Sequence, residues 1–458
     1  MTVADLTHPP GLDRDVLTEL LQDGAGRLGR EDPELYSALR AEHDRQLRSL
    51  VMVASSSVVD PTVLACQAST AVNVTAEGYP GNRYHAGCAQ VDLIEQLAID
   101  RARAAFGATY ANVQPHSASV ANHTVLGRLL RPGDTVLGMR LHEGGHLTHG
   151  APAGFSGQYF RPVGYGLDAD GLIDYAEVRR VARAERPQLI ICGATAYSRT
   201  VDFARFRRIA DEVGALLLAD ISHIAGLVVT GRHANPVDHA HVTTACTHKQ
   251  LYGPRGGLIL LGRDHDMVGP DGRTTLRDLM QRAVFPFFQG APAVNAIAAK
   301  ARALALARTP EFAATTERIV ADARALADAL GRRGYRVVSG GTDNHIVLVD
   351  LGGHGLSGLN AERALESAQI VVNKNHVPGD TRPATVTSGL RLGTNTLALR
   401  GAVPADMEIC AELTDRVLRA TREIDDRRHE LDPATRDAVR DEVERLCRSW
   451  PIPRYPTD

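Results

Sequence analysis

The sequence has little of what marks secreted, membrane or metal-binding chains. Its six cysteines, Cys66, Cys88, Cys192, Cys246, Cys410 and Cys447, lie far apart and form no CxxC pair. That spacing argues against a zinc site and a disulfide framework and fits a reducing compartment. No run approaches the roughly 18 apolar residues of a membrane span. The N-terminus, MTVADLTHPPG, lacks a basic-then-apolar signal, so a cytoplasmic location is expected. A net charge of −3 gives no electrostatic case for nucleic acid or anionic membrane. Internal repeats and low-complexity segments are missing too. What remains is a globular composition, 44% hydrophobic and 23% charged, in 458 residues, too many for one ordinary core.

The patterning predicts an α/β fold with a smaller second domain. Residues 1–45 read as a helical, charged arm, with DPELYSALRAEHDRQLRSL its best amphipathic run. Over residues 46–300, the strand-like runs DTVLGM, PQLIICGA, ALLLADI, HVTTACTH and GGLILLG alternate with helical segments such as SVANHTVLGRLL and DFARFRRIADEVG. Such alternation means a mostly parallel sheet covered on both faces. Residues 301–458 turn to long helical runs with strands YRVVSG and HIVLVDL, which suits a smaller α+β domain. Sites in such sheets lie at the carboxyl ends of strands.

Two strand ends carry the conspicuous chemistry. ALLLAD ends in Asp220 with His223 three residues on, and the run after it exits through Lys249. Lysine is rarely buried without a role. An acid and a lysine at neighbouring strand ends match pyridoxal phosphate (PLP), whose aldehyde takes a lysine and whose ring nitrogen takes a carboxylate. An ordinary ion pair is the plainer alternative. Ser117 and Ser119 in QPHSASVAN stand at a turn into a helix, as phosphate ligands or as simple N-caps. His146 and His149 form an HxxH without an acid or cysteine at zinc-ligand spacing. His146 reads better as a ring stacked on a cofactor, and His149 equally well as structural. Arg391, between Gly389 and Gly393, suits a bidentate hold on a carboxylate, or else a solvated surface.

With these residues in view, the chain resembles the serine hydroxymethyltransferase family, PLP enzymes of the aspartate-aminotransferase fold. The likeness is dense in AEGYPGNRY, ANVQPHSAS, GGHLTHG, VDFARFRRIAD, THKQLYGPRGG, SGGTDNH and TSGLRLGT. It implies that Lys249 holds PLP as a Schiff base, Asp220 binds the ring nitrogen and His146 stacks on the ring. Thr195 and His223 would reach the phenolic-oxygen side. Ser117, Ala118 and Ser119 would cup the phosphate, with Gly290 supplied by the partner of an obligate homodimer that itself can pair into a dimer of dimers. Ser55 and Arg391 would hold the substrate carboxylate, Arg255 would complete the lysine's cationic surroundings, and Glu77 would be the acid–base group. Tyr84, Leu141, Gly145, Leu147 and Asn375 fall where the family's tetrahydrofolate pocket lies.

The departures bear on the substrate. Where the serine enzyme reads like KYAEGYPGKRYYGGC, this chain has VTAEGYPGNRYHAGC, with Thr75 and His85 in place of two tyrosines beside the substrate. Losing a phenol ring removes volume next to Cα. The change resembles the branch specific for 2-methylserine, which gives D-alanine and methylene-tetrahydrofolate and serves specialised metabolism. Serine/glycine turnover and a folate-independent aldolase or threonine transaldolase are the alternatives. ASENY becomes ASSSV (Ala54 to Val58), and FPGGQGG becomes FPFFQGA after a longer loop, so Phe287 and Phe288 either line an entrance or pack on a partner.

Overall fold

The computed structural model describes residues 16–456. Helices α1 (Val16–Glu31) and α2 (Pro33–Arg48) open it, and neither contains a buried residue. Asp32 caps α2 by accepting the Leu35 N–H at 3.2 Å, and Pro33 occupies the first turn, where its missing N–H costs nothing. The first 15 residues of the expected arm lie outside the described residues.

A seven-stranded sheet follows: β1 (Tyr110–Asn112), β2 (Thr135–Met139), β3 (Arg161–Tyr165), β4 (Leu189–Cys192), β5 (Leu216–Asp220), β6 (Val242–Cys246) and β7 (Gly257–Leu261), in the order 1-7-6-5-4-2-3. Strands β2 to β6 pair in parallel, whereas β7 runs antiparallel to both β1 and β6. The fold is therefore α/β with a mostly parallel sheet, as the sequence pattern predicts. Strands β4, β5 and β7 are apolar at nearly every position because both faces are covered. Helices α3 (Ala89–Phe106), α4 (Ala118–Leu129) and α5 (Phe203–Val213) do the covering. Leu137, Ile190, Leu217 and Leu258 pack with Phe106 of α3 and Phe206 of α5. Their sequence neighbours Val136, Ile191, Leu218 and Ile259 point the other way, onto Val125 and Leu126 of α4. Each large side chain buried this way contributes roughly 1.5–3 kcal/mol, so two-sided packing holds the sheet.

Helices α6 (Val294–Leu306) and α7 (Pro310–Arg332) lead to a four-stranded antiparallel sheet of β8 (Arg336–Val337), β9 (Ile346–Asp350), β10 (Asn373–Asn375) and β11 (Gly389–Gly393), ordered 8-9-11-10. Its core joins Leu326, Val347, Leu390 and Leu413, and it also takes in Leu50 and Met52 from well before the first sheet. Leu50 and Val51 pair in parallel with Ile370 and Val371. Gly393 lets this return strand approach: its N–H donates to Met52 O at 2.7 Å, and a Cβ there would stand 2.5 Å from Ala54 Cα. Ser55 is thereby brought alongside the strand that carries Arg391.

Candidate active site

The parallel strands deliver their carboxyl ends to one edge of the large sheet, and β7 begins at that edge because it runs the opposite way. Asp220 closes β5 and is 7% exposed. Three donors converge on its carboxylate: Asn122 Nδ2 at 2.8 Å, His149 Nε2 at 3.0 Å and the Ser222 N–H at 2.9 Å. Local structure explains each. Asn122 lies on the sheet-facing side of α4, where Thr244 of β6 donates to its Oδ1 at 2.6 Å. His149 arrives because Gly138 of β2 has no side chain; a Cβ there would meet the His149 carbonyl at 2.4 Å. Burial opposes ionisation of Asp220, but the bond from His149 and the nearby imidazoles outweigh it and hold the carboxyl far below its usual range. Of the two readings of His149, the structural one describes what the molecule does: it fixes the acid.

A cavity of about 640 Å³ opens above this carboxylate. Among the residues named from sequence, Ser55, Ser117, Ala118, Ser119, His146, Thr195, Asp220, His223, Lys249, Arg255 and Arg391 line it. Burial, then the charges of Lys249 and Arg391, push His223 well below its usual pKa, while burial and His149 bring His146 down to about 4. Both rings are therefore neutral at pH 7. The Lys249 amine donates no hydrogen bond to another described residue. Burial lowers its pKa, the Cys246 thiol and Asp220 oppose this, and Arg391 and Arg255 reinforce it. Such an amine gives up its proton more readily than a surface lysine does. Arg391 is 6% exposed, not a solvated surface residue, and burial brings it down to about 10. It is anchored through Nη1 to Thr195 O at 2.7 Å and through Nε to Asn373 Oδ1 at 3.1 Å. Ser117 is the N-cap of α4, accepting the Val120 N–H at 3.1 Å, and lines the cavity as well. The capping and ligand readings of this serine are thus compatible.

A second group of the named residues lies outside the cavity lining. Glu77 and Tyr84 flank the hairpin Gly78–Tyr79/Asn82–Arg83, closed by Tyr84 N–H to Glu77 O at 3.0 Å. Arg83 roots the hairpin, with Nη2 on buried Glu95 at 2.6 Å and Nε on Asp92 at 2.8 Å. Glu77 stands 3.4 Å from His85 and over Gly290, where a Cβ would lie 3.3 Å from its Oε1. Thr75 is exposed beside them, and Tyr84 is 73% exposed with its edge on Phe285. Phe287 and Phe288 are exposed on the same loop as Gly290, and Phe288 meets Phe155 edge-on. Leu141 and Leu147 are exposed, Gly145 is buried with its N–H on Arg140 O, and Asn375 binds the His376 carbonyl. The chain thus carries a buried, cation-rich cavity and, off its lining, a more exposed group around Glu77 with Thr75, Tyr84, His85 and Gly290.

Sequence reasoning missed several cavity residues. Ser222, Cys246 and His248 line the cavity with the named set, as does Ser57, whose hydroxyl donates to the His248 carbonyl, and Asn122 stands buried behind the cavity as a donor to Asp220. A signal existed for Asn122 alone, as an amide close before Val125 and Leu126 in a largely apolar helix. The cavity suits PLP. It presents an ionised acid, a free amine, a neutral ring and a serine-bearing helix start, while Ser222 Oγ and His223 Nδ1 are buried without partners.

Comparison with known proteins bears on the same residues. The family model described as Serine hydroxymethyltransferase matches residues 28–414. A serine hydroxymethyltransferase of Xanthomonas campestris pv. campestris (strain B100) is 48% identical over 427 residues, covering 93% of this chain and 98% of its own. The serine hydroxymethyltransferase of Halorhodospira halophila (strain DSM 244 / SL1) is 48% identical over 421 residues, 92% of this chain and 97% of its own. Likeness this high and this complete, over a fold of the aspartate-aminotransferase type, leaves one assignment: the chain belongs to the serine hydroxymethyltransferase family, PLP-dependent one-carbon transferases that use tetrahydrofolate as co-substrate.

Proposed function

We propose that this member transfers the hydroxymethyl group between 2-methylserine and tetrahydrofolate, with D-alanine as the amino-acid product. The observation that carries the reading is Thr75, a small exposed side chain two residues before Glu77, where the serine enzyme's segment has tyrosine. A methyl group on Cα needs the space a phenol ring would fill.

The arrangement of the cavity supports the following roles. Arg391, held at two of its nitrogens, turns its remaining donors to the substrate carboxylate, assisted by Ser55. PLP, when bound, supplies an electron sink for the pair released at Cα. Asp220, kept ionised by Asn122, His149 and Ser222, stabilises a proton on the ring nitrogen. Neutral His146 would pack against the cofactor's ring, and Thr195 and His223 would serve its hydroxyl group. Lys249 offers a readily deprotonated amine. Glu77 takes the β-hydroxyl proton and returns it in the reverse direction. Because Glu77, Thr75, Tyr84, His85 and Gly290 lie off the cavity of their own chain, they act in the cavity of a partner subunit. The functional unit is accordingly a homodimer, with Leu141, Gly145, Leu147 and Asn375 completing the folate pocket. A second reading, serine to glycine, is favoured by the names of the relatives.

The test offers D-alanine or glycine with methylene-tetrahydrofolate to the PLP-loaded protein and resolves 2-methylserine from serine by chromatography. 2-Methylserine is expected, and Thr75→Tyr is expected to cut D-alanine use about 10- to 200-fold while sparing glycine. Serine formation without any 2-methylserine sinks the proposal in favour of the second reading. Turnover that ignores folate points to an aldolase.

A further inference from the structure

A second buried lysine stands behind the cavity. Lys300 of α6 is 1% exposed, and all three ammonium protons are spent on backbone carbonyls: Val113 at 2.6 Å, Pro115 at 2.9 Å and Gly257 at 3.1 Å. No acidic side chain shares these bonds; burial brings the Lys300 amine down to about 7, and Glu95 opposes this only through space. Room for the side chain is reserved, since a Cβ at Gly256 would stand 2.1 Å from Lys300 Cε. The three carbonyls belong to two segments that meet at one place. Val113 and Pro115 lie on the link from β1 to Ser117, the N-cap of α4. Gly257 starts β7, donates its own N–H to Pro115 O at 2.9 Å, and would collide with Ser117 O at 2.4 Å if it had a Cβ. Gly257 also ends the loop that carries Lys249 and Arg255.

We propose that Lys300 is a positioning residue for the cofactor phosphate, clamping the Val113, Pro115 and Gly257 carbonyls so that Ser117–Ser119 are presented in one fixed geometry. The physical case rests on what the bonds replace. Three carbonyls converging in a buried interior repel one another, and although Pro115 O also accepts the Gly257 N–H, a three-proton ammonium reaches all three together. The same cation places a positive charge on the protein side of the turn, on the path by which a phosphate dianion would be attracted. Its influence already reaches that far, because burial and the Lys300 charge together lower the pKa of His116, next to Ser117. A lysine serving the core alone would not need to gather its acceptors from the turn that faces the cavity.

The inference rests on reading Ser117–Ser119 as the phosphate cup, and the experiment separates the two. Apo-protein is titrated spectroscopically with PLP and with pyridoxal, which lacks the phosphate, for the parent, Lys300→Met, Lys300→Gln and Ser119→Ala. In the lysine variants PLP affinity is expected to fall about tenfold or more, with pyridoxal affinity changing about threefold or less. Ser119→Ala is expected to reduce the preference for PLP as well. Equal losses for both ligands in the lysine variants, or no loss, overturn the role of Lys300 while Ser119→Ala still shows the cup. An unchanged preference in Ser119→Ala shows that the cup lies elsewhere and overturns both. Should neither lysine variant fold, hydrogen exchange on the parent decides: the Gly257 amide is expected among the slowest with or without PLP. Exchange there as fast as in a surface loop rules out the clamp.

Discussion

Replacing His149 by leucine tests whether the acid at the end of β5 is held in readiness by its neighbours. The side chain is almost fully buried and gives one of the three hydrogen bonds on Asp220, at 3.0 Å. A bond to an ionised acceptor is worth about 1.5–3 kcal/mol. Leucine is of similar bulk and also removes an imidazole whose Nδ1 is buried without a partner, so packing is largely conserved. The cost should therefore fall on the carboxylate. With Asn122 and Ser222 as its remaining donors, Asp220 rises towards ordinary carboxyl values, because burial, which already opposes ionisation, is then less well opposed. The sign follows from linkage. A depressed carboxyl contributes stability that is present above its unfolded pKa and is lost as pH falls through the folded value. The variant should lose that contribution at a higher pH than the parent, and its grip on a protonated ring nitrogen should weaken at neutral pH. A loss of 1.5–3 kcal/mol corresponds to about 10- to 150-fold in cofactor affinity. The assay is a PLP titration of the apo-protein across pH 5–8, with circular dichroism to check the fold. Asn122→Leu should act likewise, and the double variant should show less than the sum, because both residues serve Oδ2. PLP affinity within twofold of the parent in folded His149→Leu would refute the idea that this contact prepares the acid.

Two further outcomes are expected. Asp322 in α7 is fully buried, neither carboxylate oxygen has a hydrogen-bond partner, and burial raises its pKa to about 7. A raised carboxyl binds its proton more tightly when folded, so it costs stability as pH climbs from about 4 to 7 and the cost then levels off. Asp322→Asn should raise the melting temperature at pH 8 clearly more than at pH 5, with a gain of at most about 4 kcal/mol; an equal or negative shift at pH 8 speaks against it. Arg391→Lys keeps the charge but loses the planar fork, and should lower kcat/KM about 10- to 100-fold through KM for the amino acid. An unchanged KM would place the carboxylate elsewhere.

Much of this molecule is written in its sequence. Runs such as PQLIICGA and ALLLADI are apolar on both alternating faces, which only a doubly covered sheet can satisfy, and their ends name Asp220 and Lys249 directly. The caps Asp32 and Ser117 are equally local, since a side chain three residues from an amide needs no tertiary structure to reach it. Other features were settled only when distant segments met. GGLILLG reads the same in either direction, so the antiparallel course of β7, and with it the placing of Gly257 beside Ser117, came from pairing with β1 and β6. Lys300 sits in an alanine-rich helix where a lysine reads as solvent-facing, and it is buried because three carbonyls from two other segments surround its ammonium. His149 was ambiguous until Gly138 let its loop lie down on the sheet next to Asp220. Local pattern records which residue types are near one another along the chain. Which buried polar groups must share a partner is decided by packing, where an unpaired charge or carbonyl is costly enough to select the arrangement.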